Sequence, residues 1–187
     1  MSRKNKAIVW HYTYSHNIKA ILESGVLLPP RMTPQYLSNA CFSAGIDLDH
    51  SDVKADASLL LFSQRKDWEP ASYRGLMDSD GNVVNLHRLE DYEVYGMDVF
   101  RIGVSRSLLR PWIRLKEMSK MSGGMAAGLE KTARAVGSNP FDWWGTMRPI
   151  PQDKWEKVEV YNPEIKAWES LFEEMEEETE ALPMAAD

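Results

Sequence analysis

The sequence predicts a single domain of the α+β class. Its 187 residues suit one domain, and a chain of this length buries roughly two-thirds of its unfolded surface. Hydrophobic residues make up 43% and charged residues 27%, which is typical of globular proteins. The candidate strands are short and are interrupted by helices without regular βαβα alternation, which favours α+β over a doubly wound sheet.

The chain opens with a predicted strand, a helix and a second strand. Residues Ala7–Tyr12 are mostly β-branched or aromatic, as strands prefer. Ser15 can cap a helix from about His16 to Glu23, and Gly25 is placed to end it. A short strand over Val26–Leu28 is then stopped by two prolines.

The next segment, residues 30–57, lacks periodicity and is rich in Pro, Ser, Asn and Asp. We expect a long surface loop there, and such loops in compact domains are more often functional than idle. Ser58–Ser63 is a predicted buried strand, and Pro70 prevents its simple continuation. The same patterns predict later strands at Val83–Leu86, Val99–Val104, Trp143–Met147 and Trp155–Tyr161, and helices at Leu108–Ser119 and Met125–Val136.

The C-terminal end of the chain is strongly acidic. From Glu169 to Asp187 there are eight acidic residues and no Lys or Arg. The apolar spacing predicts an acidic helix over Ile165–Glu178, so we divide the chain into an α+β domain, residues 1–168, and a C-terminal helix and tail, residues 169–187. The acidic helix is either solvated or docked on its own domain, on a second copy of the chain or on a partner protein.

Charge and composition exclude several classes of function. Without the acidic end, 22 basic and 20 acidic residues remain, which argues against broad non-specific duplex binding. Cys41 is the single cysteine, which fits a reducing compartment, and no apolar stretch approaches the ~20 residues of a membrane span, so we expect a cytoplasmic protein without a membrane partner. The four histidines form no His-x-x-x-His pair and there is one cysteine, so we expect no metal site. P-loop and Rossmann fingerprints are absent from the sequence, which argues against those two modes of nucleotide binding.

The clearest motif lies in the opening residues, which read Trp10-His-Tyr-Thr13 and then Asn17-Ile-x-x-Ile-Leu-x-x-Gly25-x-Leu-x-Pro29. This motif resembles the first motif of the ADP-ribosyltransferase-like superfamily, most of all the DarT-type toxins that target DNA and the tRNA 2′-phosphotransferases. The resemblance implies a small, mostly antiparallel split sheet flanked by helices, with NAD as substrate. Other stretches are similar to small phage and prophage proteins of unassigned function, which implies a phage or toxin setting.

The His11-Tyr12-Thr13 triplet also has a physical case of its own. A strand end exposes backbone N–H and C=O groups that can bind a carboxamide such as that of nicotinamide. An imidazole on the same face as Thr13 can hydrogen-bond a ribose hydroxyl. The resemblance implies these roles for His11 and for the Tyr12 backbone, with Thr13 supporting them. The alternative is that His11 is a satisfied buried histidine and Tyr12 belongs to the core.

Two further requirements follow from the resemblance. Ser63 is the candidate for a hydroxyl beside the nicotinamide, and Trp68 could close over the ring; the alternative is a core strand followed by a core tryptophan. Cleavage of the N-glycosidic bond passes through an oxocarbenium-like state, which a fixed carboxylate stabilises. Glu159 is the first candidate for this carboxylate, with Glu156 and Glu69 as rivals, and the alternative for Glu159 is a solvated side chain.

These residues predict an ADP-ribosyltransferase-like protein that binds NAD as its substrate. It would transfer ADP-ribose to a macromolecular acceptor, a protein or a nucleic acid, or simply hydrolyse NAD. The alternative is a non-catalytic protein of a phage–host interaction. That protein would hold a nucleotide in the same cleft or engage a host protein through the acidic helix.

Overall fold

The computed structural model describes residues 7–43, 57–78 and 80–172. These residues form an α+β domain in which every strand pair is antiparallel, which confirms the predicted fold class. The strands are β1 (Ile8–Tyr14), β2 (Val26–Leu27), β3 (Arg31–Met32), β4 (Ala57–Ser58), β5 (Leu60–Ser63), β6 (Arg74–Met77), β7 (Val83–Leu86), β8 (Val99–Ser105), β9 (Arg110–Pro111), β10 (Trp143–Thr146), β11 (Ile150–Pro151), β12 (Trp155–Asn162) and β13 (Ala167–Ser170). The helices are α1 (Ser15–Ser24), α2 (Pro34–Ser43), α3 (Leu89–Val94), α4 (Trp112–Met118) and α5 (Gly123–Ala135).

The main sheet has seven strands in the order β13-β12-β8-β1-β5-β10-β9. Strand β1 pairs with β8 along its whole length, from Ile8 to Tyr14, and β5 pairs with β10 along its whole length. In contrast, the register between β1 and β5 contains one pair, Trp10 with Ser63. We call the place beyond this pair, where β1 continues without β5 as a ladder partner, the fork.

Strand β1 and helix α1 follow directly from the sequence pattern. Trp10, Tyr12 and Tyr14 lie on one face of β1 and pack in one aromatic cluster, while Val9 lies on the other face. Helix α1 begins at Ser15, so Tyr14 and not Ser15 occupies the N-cap position. The Ser15 hydroxyl instead accepts a hydrogen bond from the Asp98 backbone N–H at 2.8 Å.

Glycine ends α1 as expected. Gly25 has a φ of 64°, in the left-handed region that favours glycine, and its N–H donates to the Ile21 carbonyl. The chain then turns into β2, which pairs with β11 beneath the main sheet. This connection places α1 against one face of β1 and β8.

Two predicted segments differ from the structure. Residues 30–57 are not one loop, since they contain β3 and α2, whose Leu37 and Cys41 are buried against α5; residues 44–56 lie outside the described part of the chain. The helix predicted from Ile165 is wrong up to residue 172, because Ala167–Ser170 forms β13 and pairs with β12. Residues 173–187, which carry most of the acidic side chains, lie outside the described residues.

The boundaries of the two middle helices also shift. The helix predicted over Leu108–Ser119 begins at Trp112, because Arg106–Leu108 is a 3-10 turn and Arg110–Pro111 pairs with β10. Helix α5 begins at Gly123, where Ser122 caps it by accepting a hydrogen bond from the Met125 N–H. Among the described helices, none is long and apolar enough to cross a membrane.

Candidate functional site

A cavity of about 690 Å³ lies at the fork. This volume falls within the ~300–1,000 Å³ range of ligand pockets. One wall comes from β1 and α1, and the other from β5, α5 and the turn before β6. The polar lining residues are His11, Thr13, Asn17, Ser24, Tyr36, Ser63, Glu69, Ser72, Tyr73, Arg74 and Thr132.

Strand β1 borders the cavity through its backbone. All five consecutive residues from Trp10 to Tyr14 line it, although successive side chains of a strand point to opposite faces. The Tyr12 side chain itself packs elsewhere, edge-on to Trp68 with ring centroids 5.0 Å apart. The strand edge past the Trp10–Ser63 pair, which includes the Tyr12 backbone, therefore borders the cavity.

His11 bridges the fork. Its Nδ1 lies 2.9 Å from the Leu61 carbonyl oxygen, and because a carbonyl can only accept, Nδ1 carries the proton. The lone pair of Nε2 is then free to accept, and no group in the described part of the chain hydrogen-bonds to it. Burial lowers the pKa of His11, the Leu61 hydrogen bond partly opposes this, and the positive charge of Arg74 lowers the pKa further. The site therefore holds a neutral imidazole at neutral pH.

Glu69 brings a buried carboxylate to the same cavity. Its side chain is 4% exposed and accepts three hydrogen bonds. The Ser63 hydroxyl donates to Oε2 at 2.6 Å, while the Ser138 hydroxyl and the Ala71 N–H donate to Oε1. These bonds fix the position of the carboxylate, and they also direct the Ser63 hydroxyl towards Glu69.

Glu159, the first candidate from the sequence, lies outside the cavity lining, on the sheet face that it shares with Tyr12 and Arg101. It faces Arg101, whose Nε donates to Glu159 Oε2 at 2.6 Å, and both side chains are only 8% exposed. The guanidinium lies between two indole rings, 3.9 Å from the centroid of Trp10 and 4.2 Å from that of Trp168. Glu159 is thus neither solvated nor in contact with the cavity.

The two remaining candidates also lie away from the cavity. Glu156 is exposed near the start of β12, beside an irregularity in its pairing with β8. Trp68 packs against Tyr12 and Tyr92, and its Nε1 donates to the His87 carbonyl at 2.9 Å. The cavity therefore brings together His11, Tyr12, Thr13, Ser63 and Glu69, and leaves out Glu159, Glu156 and Trp68.

Two lining or supporting residues were not among the predicted site residues. Ser138 donates to Glu69, and its Gly-Ser-Asn-Pro context after a helix was the available signal. Arg74 is exposed at the cavity, with its guanidinium 4.6 Å from the centroid of the Tyr14 ring. Within the described residues no carboxylate forms an ion pair with Arg74. Nothing in the sequence pattern around Arg74 distinguishes it from other surface arginines.

The fold and the site define an α+β protein with a ligand-sized cavity where an antiparallel sheet divides. The described residues contain no group of three His, Cys, Asp or Glu side chains that could hold a metal ion. No protein-family model, no curated protein and no solved structure matches the chain.

Proposed function

We propose that this chain is an ADP-ribosyltransferase-like protein that binds NAD in the fork cavity and cleaves its nicotinamide–ribose bond. ADP-ribose then passes to a macromolecular acceptor, a protein or a nucleic acid, or to water. A phage or toxin setting accompanies this proposal. The observation that carries it is that His11, the edge of β1 and the buried carboxylate of Glu69 line one cavity.

The β1 edge and His11 supply the recognition. Unpaired backbone N–H and C=O groups at Tyr12 can hydrogen-bond both polar atoms of the nicotinamide carboxamide. Nε2 of His11 accepts a hydrogen bond from a ribose hydroxyl, which requires the neutral imidazole that burial favours. Apolar lining residues such as Ile21 and Leu129 cover the faces of the planar ring.

Glu69 supplies the negative charge for the transition state. As the C1′–N bond breaks, its electron pair leaves with nicotinamide, which departs neutral and needs no proton. The ribosyl oxocarbenium that remains is positively charged, and a carboxylate fixed by three donors stabilises it. An acceptor hydroxyl, amine or water then adds to C1′ through its lone pair and releases its proton to the solvent.

Arg74 completes the site at its exposed side. NAD carries two negative charges on its pyrophosphate, and a guanidinium is well suited to bind phosphate oxygens. Arg74 has the position and the charge for this contact.

The experiment is to incubate the protein with NAD and measure released nicotinamide, with NAD binding measured separately. Replacement of Glu69 by Gln keeps the shape and removes the charge, and the expected loss is about 10²–10³ in kcat with little change in KM. Glu130→Gln is the matched control, because Glu130 also accepts several hydrogen bonds but lies outside the cavity lining.

The outcomes separate the enzyme from its alternative. Release that depends on Glu69 and not on Glu130 supports the enzyme. Saturable NAD binding without release by the wild type identifies a non-catalytic nucleotide-binding protein. Absence of both binding and release rejects NAD as the ligand and leaves a protein-binding role as the remaining alternative.

A further inference from the structure

The segment that carries Glu69 is held by side chains of three strands of the main sheet. We call residues 64–69 the connecting segment, since it links β5 to Glu69. Three successive backbone carbonyls of this segment each accept a hydrogen bond from a side chain of a different strand. The pairs are Tyr12 Oη to the Arg65 carbonyl at 3.4 Å, Arg101 Nη1 to the Lys66 carbonyl, and Trp168 Nε1 to the Asp67 carbonyl at 3.1 Å.

Arg101 is the centre of this arrangement. Its guanidinium is stacked between Trp10 and Trp168, donates through Nη1 to Lys66, and uses Nε for Glu159. A buried guanidinium needs a counter-charge, because removing its partner leaves an uncompensated charge in a medium of low polarity. Glu159 provides that charge. Its hydrogen bond to Nε also fixes the orientation of the guanidinium, whose Nη1 donates to the connecting segment.

We propose that Arg101 is a positioning residue for Glu69 and that Glu159 acts through Arg101. The inference rests on the proposed function in one respect, that Glu69 is the group acting on the ligand. Loss of the Arg101–Lys66 hydrogen bond releases the middle of the connecting segment, two residues before Trp68 and three before Glu69. A displacement of about 1 Å at a reacting group can cost about 10² in rate.

The test compares Glu159→Gln with Glu130→Gln by hydrogen exchange measured without NAD. Both changes are Glu to Gln in an ion pair, and Glu130 contacts α4 and not the connecting segment. Exchange of amides in residues 64–72 is read relative to that of β10. We expect it to rise at least about tenfold in Glu159→Gln, as loss of a charged hydrogen bond implies, and to stay unchanged in Glu130→Gln. Unchanged exchange in Glu159→Gln, or an equal rise in both variants, overturns the proposal.

The separate values of kcat and KM distinguish positioning of Glu69 from a purely structural role of Glu159. Since Glu69 acts in the transition state, we expect Glu159→Gln to lower kcat for nicotinamide release and to leave KM nearly unchanged. A variant whose KM rises while kcat is retained contradicts positioning of Glu69.

A second variant covers the case in which Glu159→Gln does not fold. Trp168→Phe removes the hydrogen bond to Asp67 and part of the stacking on Arg101, while Trp168 is only half-buried. We expect exchange in residues 64–72 to rise roughly 2- to 10-fold. Unchanged exchange in this variant also overturns the proposal. If the wild type releases no nicotinamide, the proposed function fails, while hydrogen exchange still decides whether Arg101 and Glu159 hold the connecting segment.

Discussion

Replacement of His11 by Asn tests the state of the imidazole at the fork. The folded protein holds His11 with a lowered pKa, whereas in the unfolded chain its pKa returns to about 6.5. Below that pH the unfolded chain therefore binds more protons than the folded protein. The free energy of unfolding must then fall as the pH drops below about 6.5 and must continue to fall until the folded pKa is reached.

The size of the effect follows from the one proton involved. Between about pH 7.5 and about pH 5.5, a group that stays neutral in the folded protein removes at most about 1.4 kcal/mol from the free energy of unfolding. Asn at position 11 can still donate to the Leu61 carbonyl but does not titrate. We expect His11→Asn to lose this part of the pH dependence, with the cost of the lost ring contacts, about 1 kcal/mol, appearing at both pH values.

The assay is urea denaturation of the wild type, His11→Asn and His16→Asn at the two pH values. His16 is exposed at the start of α1, so its variant should keep the pH dependence of the wild type. If His11→Asn shows the same loss of stability on acidification as the wild type, the imidazole does not have a lowered pKa. The proposed hydrogen bond from Nε2 to a ribose would then lose its basis.

Three other predictions concern packing, the cysteine and the basic side of the cavity. Gly145→Ala should lower the free energy of unfolding by about 3 kcal/mol, because the added Cβ would lie 2.6 Å from a backbone carbonyl of β5. Gly103→Ala should cost only about 1 kcal/mol, because the nearest contacts of its Cβ, at 2.7 Å and beyond, are side chains. A larger cost for Gly103→Ala than for Gly145→Ala in thermal or chemical unfolding would contradict this reasoning. The Cys41 thiol is buried and should react with a thiol reagent only when the protein unfolds, so fast labelling in native buffer would be inconsistent with the packing of α2. Arg74→Gln should weaken NAD binding about tenfold and reduce the salt dependence of binding. Arg106 lies over the Trp144 ring and outside the cavity lining, so Arg106→Gln should leave NAD binding unchanged. Equal effects of the two substitutions would exclude a specific phosphate contact of Arg74.

The opening of the chain could be predicted from the sequence because local signals agree there. The β-branched and aromatic run predicts β1, and Gly25 marks the end of α1 through a backbone angle that other residues disfavour. The position of His11 at the cavity is different, because it lies inside β1 and borders the cavity only where β5 stops pairing with that strand. Prediction of β1 and α1 needs no distant contacts, whereas the fork depends on a strand about 50 residues further along the chain.

The helix α2 was missed, although two signals for it were present. Thr33 accepts a hydrogen bond from the Tyr36 N–H at the start of the helix, and Pro34 is at a first helical position, where proline is favoured. Leu37 and Cys41 are one turn apart and are buried on the same side. The many Ser, Asn and Pro residues of this segment favour a loop and so obscure the helical pattern.

The end of the described chain shows the opposite error. The apolar spacing favours a helix from Ile165, but Trp168 is paired with Tyr161 across a turn in which Lys166 has a φ of 53°. The pairing with β12 and the contacts of the Trp168 indole are tertiary, so residue propensity could not reveal them. The choice between Glu159 and Glu69 depends on tertiary contacts in the same way, because only the fold shows that Glu159 pairs with Arg101 while Glu69 lines the cavity.

The hydrogen bond between Ser138 and Glu69 joins residues 69 positions apart in the chain. Ser138 follows α5, so the donor arrives only after that helix has docked on the sheet. Since Ser63 and Ala71 are close to Glu69 in the chain, the set of three donors is completed only by this long-range contact. During refolding, NAD binding and nicotinamide release should consequently recover more slowly than secondary structure. The delay between the two signals would measure when the site is completed.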